Sequence, residues 1–136
     1  MKKYIILLIF SLLITSAVSG CSIKTIDDNK ISDVSYEVVE YHNLNKYVRE
    51  IYNENLTENN RLSYSDNEYL YLIICYGAMP TTGYTIDVKE IYETINTIIV
   101  DTTLIGPSKA ETVEEEISYP AIVIKIKATD KPVIFK

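Results

Sequence analysis

Two cysteines, one histidine and a few clustered carboxylates are the groups in this 136-residue chain that could carry chemistry. Cys21 has the most specific setting. It follows Val18, Ser19 and Gly20, which puts an aliphatic residue at −3 and small residues at −2 and −1. This is the lipobox pattern. The thiol accepts a diacylglyceryl group as a thioether, and the small side chains let a signal peptidase close over the backbone. Lys2 and Lys3 give a positive start, Tyr4 to Phe10 and Leu12 to Ile14 an apolar run, and Ser16, Ala17, Ser19 and Gly20 a small-residue end. That is the layout of a secretory signal peptide. The uncharged run from Tyr4 to Val18 falls short of the roughly 20 residues a membrane-spanning helix needs. The expectation is a signal peptide over 1–20, cleaved to leave a lipid-modified Cys21. Two acyl chains give stable membrane attachment.

The other reactive groups point away from catalysis. His42 is the only histidine, so no close-spaced histidine metal motif exists. A nucleophilic triad would have to use His42, and nothing around it supplies a nucleophile in a recognisable turn. It is expected as a capping or surface residue. Cys75 lies in the run Leu70-Tyr71-Leu72-Ile73-Ile74-Cys75-Tyr76 and reads as a small buried hydrophobe. With Cys21 assigned to lipid, no intramolecular disulfide is expected. Asp27-Asp28 and Glu114-Glu115-Glu116 lack the glycine-bent loop that calcium ligation uses, so they read as solvated charge. Only 4 glycines are present, and none forms a phosphate-binding loop. The chain is therefore expected not to be an enzyme. No metal, no cofactor beyond the covalent lipid and no small-molecule substrate are expected. The formal charge is −6, near −8 once Lys2 and Lys3 are removed. That argues against nucleic acid and against electrostatic adhesion to anionic lipid, so the lipid on Cys21 must do the anchoring. The expected location is extracytoplasmic, on the cell membrane. In a cell with two membranes it is the outer one, because Ser22 after the cysteine would not retain the protein at the inner membrane.

One segment looks shaped for contact: Met79, Pro80, Thr81, Thr82, Gly83 and Tyr84, preceded by Gly77 and Ala78. Pro80 presets φ near −65° and Gly83 permits φ > 0, which a plain turn would also use. A preorganised loop of this kind can dock into a partner at low entropic cost. These six residues are the candidate partner-binding site.

The elements that must hold this loop are mostly strands. Residues 21–32 carry the lipid and then read as a polar tether, and 33–136 as one β-rich domain. Val34, Tyr36 and Val38 alternate with polar residues, as a first strand would. Leu44, Tyr47, Val48, Ile51 and Tyr52 make one helical stripe, with Asn43 as the expected cap and Asn53 and Asn55 near the end. Leu56 to Asn67 reads as a polar connection. Tyr69 to Tyr76 is a continuous apolar run, expected of a strand covered on both faces. The strand beginning at Tyr84 alternates up to Val88 and then slips phase, which predicts a bulge near Lys89-Glu90. Ile98, Val100, Thr102 and Leu104 share a face. Gly106-Pro107-Ser108 breaks the chain, and Ala110 to Ser118 reads as an acidic loop or edge. Ile122, Ile124 and Ile126 mark a half-buried strand, and 132–135 a short edge strand. The expected fold class is mainly β (α+β): an antiparallel β-sheet or small sandwich with one short amphipathic helix.

Several of these features together resemble a family. Gly77, then Pro80-Thr81-Thr82-Gly83-Tyr84-Thr85-Ile86-Asp87-Val88, then Ile98-Ile99-Val100, Pro107, Ser118-Tyr119-Pro120-Ala121-Ile122-Val123-Ile124-Lys125-Ile126 and Val133-Ile134-Phe135 look like the C-terminal domain of PrcB-type proteins. That family is named for a lipoprotein subunit of a bacterial surface protease complex. The resemblance covers residues 69–135. It implies a β-rich accessory domain associated with a protease or another envelope protein. With the missing catalytic set, this gives the expectation of a non-catalytic accessory or protein-binding subunit. The PTTGY loop is also similar to the wedge of chagasin-type inhibitors of papain-like cysteine proteases. Those inhibitors carry Asn where this chain has Met79, and their two other contact loops have no counterpart here. Inhibition of such a protease is the alternative expectation.

Overall fold

The computed structural model describes residues 29–136, which form two four-stranded β-sheets and one α-helix. The expected signal peptide, Cys21 and most of the expected tether lie outside the described residues. Within 29–136 no helix is long and apolar enough to cross a membrane.

The strands are β1 (Ser32–Asp33), β2 (Tyr36–Val38), β3 (Asn59–Ser65), β4 (Tyr69–Tyr76), β5 (Thr85–Glu93), β6 (Ile98–Ile105), β7 (Ala121–Lys127) and β8 (Val133–Phe135); the helix α1 is Lys46–Asn55. The first sheet has the order β1-β5-β6-β8 and the second β2-β7-β4-β3. Every strand pair is antiparallel except β6 with β8. The expected small sandwich is therefore the fold, with the helix on its outer side.

β4 explains the layering. Its eight residues carry apolar side chains on both faces, and Leu72, Ile73, Ile74 and Cys75 are fully buried. Leu70, Leu72 and Ile74 point into the space between the sheets, against Ile91, Ile98, Val100, Ile124 and Ile126. Tyr71, Ile73 and Cys75 point the other way, against Leu44 and Val48 of the helix region. A strand sandwiched this way must be apolar throughout, which is why its sequence lacks alternation. The predicted phase slip in β5 is a bulge: Val88 pairs with Thr102 and Glu90 with Asp101, leaving Lys89 extra. β8 lies at the edge of its sheet, as expected of a strand that follows Pro132.

Three local readings need correction. The helix cap is Asn45, whose side-chain oxygen accepts from the Val48 amide at 2.9 Å; Asn43 instead closes a 3-10 turn over Tyr41–Asn43. Only Asn43 precedes the stripe as read from Leu44, but the helix begins at Lys46, after Leu44, so the capping position falls at Asn45. The polar connection over 56–67 contains strand β3, paired with β4 along its whole length. Only Leu62 and Tyr64 of β3 pack inward, so main-chain pairing rather than side-chain burial defines this edge strand. Asp66 turns it into β4 by accepting the amides of Glu68 and Tyr69 at 2.8 and 2.7 Å. The expected first strand divides between the sheets. Ile31 and Val34 bond along β5, and the chain then crosses to place Tyr36–Val38 on β7.

Candidate partner-binding site

Residues 77–84 leave β4 and enter β5 by a path that glycine makes possible at both ends. Gly77 has φ 75°, and a Cβ there would lie 3.3 Å from the backbone of Glu58 and Asn59. Gly83 has φ 90°, and a Cβ there would come within 2.9 Å of Val113 Cγ1 and 3.0 Å of Pro107 Cβ. Both positions thus require glycine on two counts, conformation and space.

A second loop, residues 106–120, braces the first. Met79 and Ser118 exchange main-chain bonds of 2.8 and 3.0 Å. The Ser118 hydroxyl donates to Thr81 C=O at 2.6 Å. The Thr82 amide donates to Glu114 C=O at 3.1 Å, and the Glu114 amide donates to the Thr82 hydroxyl at 3.0 Å. The Tyr84 ring lies against Gly106, where an added Cβ would sit 3.3 Å from the ring. All six candidate residues therefore belong to one loop held in shape by another. The sequence marked 106–108 as a break and 110–118 as acidic. Nothing in the pattern showed that Pro107, Val113, Glu114 and Ser118 close onto the loop, because those contacts span about thirty residues.

The exposure of the pair is uneven. Pro80 and Gly83 are exposed, while Met79, Thr81, Thr82 and Tyr84 are half-buried. Ile117 (59% exposed) and Tyr119 (39%) stand out on the bracing loop beside the exposed Glu114, Glu115 and Glu116. A shallow groove of about 260 Å³ runs beside the loops, lined by Tyr84, Thr85, Ile86, Pro120, Ala121 and Ile122. Apolar rings and aliphatic chains with an acidic margin suit a polypeptide partner.

The residues tested for catalysis lie elsewhere. His42 is exposed in the 3-10 turn, its Nδ1 3.4 Å from a Glu40 carboxylate oxygen. Cys75 is buried beneath the helix, and burial pushes its thiol pKa up, away from the thiolate a nucleophile needs. Among the described residues no group of three His, Cys, Asp or Glu side chains is placed to hold a metal ion. Asp27 and Asp28 lie outside the described residues.

Comparison with known proteins agrees with the loop and strand pattern. Residues 70–127 match the family model described as PrcB C-terminal. No curated protein matches the chain. No solved structure matches it either. Nothing in these comparisons supports the likeness to chagasin-type inhibitors. The matched segment runs from the start of β4 to the end of β7 and contains both loops and the groove beside them. Residues 70–127 of this chain are thus similar to the C-terminal domain of PrcB-type proteins.

Proposed function

We propose that this protein is a lipid-anchored, non-catalytic subunit that binds another envelope protein, as part of a surface protease complex. The observation that carries the reading is the braced loop. Residues 79–84 are fixed by hydrogen bonds to Ser118 and Glu114 and by the packing of Gly83 on Val113 and Pro107. A surface loop held this firmly pays little ordering entropy when it docks. The family model that matches this segment supports a protease-associated role. The lipobox at Cys21 supports an address at the membrane surface, where tethering raises the local concentration of the loop for membrane-bound partners.

The experiment is site-directed crosslinking in intact cells from a photoreactive residue at position 82. One discrete partner should be trapped in the membrane fraction, and identification should return an envelope protein. In cells carrying Cys21→Ser, both the chain and its adduct should leave that fraction. A folded, abundant chain that traps no protein would overturn the binding role; a membrane location unchanged by Cys21→Ser would overturn the lipid anchor.

A further inference from the structure

β7 leaves part of its edge uncovered, and the groove beside the braced loops is one side of that opening. The Tyr76 amide donates to Pro120 C=O at 3.0 Å, and Ser118 pairs with Met79, so positions 118 and 120 face the β4 side. Antiparallel alternation turns the main-chain N–H and C=O of Tyr119 and Ala121 the other way. The neighbour on that side is β2, and it stops short. Val38 pairs with Ile124, the Val39 amide reaches Val123 C=O at 2.8 Å, and the chain then departs into the 3-10 turn.

Two grooves flank this edge, one on each face of the sheet. The groove of about 260 Å³ faces Tyr84 and Ile86 of the opposite sheet. A second, of about 250 Å³, faces Tyr41, Leu44 and Tyr52 on the helix side. They meet at Ala121 and Ile122, which line both. Successive side chains of a strand point to opposite faces. An extended segment laid against this edge would therefore send one side chain into each groove. Exposed carboxylates outnumber cations on the flanking segments. Glu40 lines the helix-side groove, Asp87 follows Ile86, and Glu111, Glu114, Glu115 and Glu116 lie on the bracing loop. Against them stand Lys109 on that loop and Arg49 over the Tyr41 ring.

We propose that the Tyr119–Ala121 edge takes up an extended segment of a partner polypeptide, with apolar side chains at consecutive positions and lysine or arginine beside them. Main-chain pairing would supply affinity, the two grooves side-chain selectivity, and the carboxylates charge complementarity. The net charge of −6 argues against a second copy of this chain as the occupant. The proposal rests on the protein-binding role above and names the chemistry bound.

The test uses the full chain in detergent micelles and a synthetic peptide, Lys-Lys-Val-Leu-Val-Lys, followed by amide exchange and NMR titration. The peptide should bind and slow exchange at the Tyr119 and Ala121 amides. Replacing its lysines with glutamates, methylating the pairing backbone nitrogens, or introducing Glu115→Lys with Glu116→Lys should each weaken binding about tenfold. Both glutamates are exposed, so the double variant is expected to fold. Equal binding of the glutamate peptide would overturn the proposal, as would protection confined to another surface. Protection of Tyr119 and Ala121 without peptide, rising with protein concentration, would assign the edge to self-pairing and also overturn it. These outcomes are separable from the crosslinking result: a partner trapped from position 82 together with a silent peptide titration leaves the binding role standing and removes this mode.

Discussion

Gly83 shows most directly how one residue controls the candidate site. Any other L-residue must be strained at φ 90° and must also push against Val113 and Pro107. Gly83→Ala is expected to cost about 1–3 kcal/mol, seen as a lower urea midpoint. It should also loosen the bonds between Thr82 and Glu114, seen as faster exchange of the Glu114 amide. Glu93 carries a different consequence. The Lys131 ammonium, 2.8 Å away, and the Ser32 hydroxyl, 2.7 Å away, hold its carboxyl below the usual range. Asp66 is lowered likewise by the amides of Tyr69 and Glu68. A carboxylate whose folded pKa is depressed stabilises the fold above its ordinary pKa, and that contribution disappears as pH falls through the folded value. Stability should therefore decline in acid, beginning near the ordinary carboxyl range of about 4. A pH series of urea midpoints checks this, and Glu93→Gln should flatten part of the acid limb.

The elements differ in how their ends are set. The helix is short and owes its start to the Asn45 side chain on the Val48 amide. Asn45→Ala is expected to cost about 1 kcal/mol, while Asn43→Ala should change stability little. Thermal denaturation of the two variants distinguishes the cap from its neighbour. β3 illustrates the opposite case, an element with almost no apolar signal. Arg61 donates to Cys75 C=O at 2.9 Å and lies over the Tyr76 ring, so even its charged residue is tied to β4. Strands β4, β5, β6 and β7 were legible because each carries a burial pattern of its own. β3 was not, since its partner rather than its composition makes it a strand.

At the scale of the molecule, β4 joins two cores into one folding unit. Leu72 serves the space between the sheets and Ile73 the space beneath the helix, and neither is solvent-accessible. Ile73→Ala and Leu72→Ala should each cost about 2–5 kcal/mol. Both should unfold the domain in a single transition, whether followed by tyrosine fluorescence or by far-UV circular dichroism. Separate transitions for the helix side and the sheets would contradict this. The same shared architecture fixes the candidate site. Both loops spring from strands anchored in the core between the sheets, and hydrogen bonds tie one loop to the other.

The sequence by itself determined the chain's class and the outline of the candidate loop. Uninterrupted apolar residues in β4, the phase slip at Lys89 and the alternation around Ile122 to Ile126 are local patterns. Local patterns report burial and backbone geometry directly. Pro80 and Gly83 marked the loop for the same reason. Only the tertiary structure decided what holds that loop, where the sheets divide, and that β2 stops short of the segment from Tyr119 to the start of β7. Those facts depend on pairs far apart in the chain, such as Met79 with Ser118 and Thr82 with Glu114. A hydrogen bond between distant backbones leaves no periodicity in either segment, so it becomes visible only when the chain is folded.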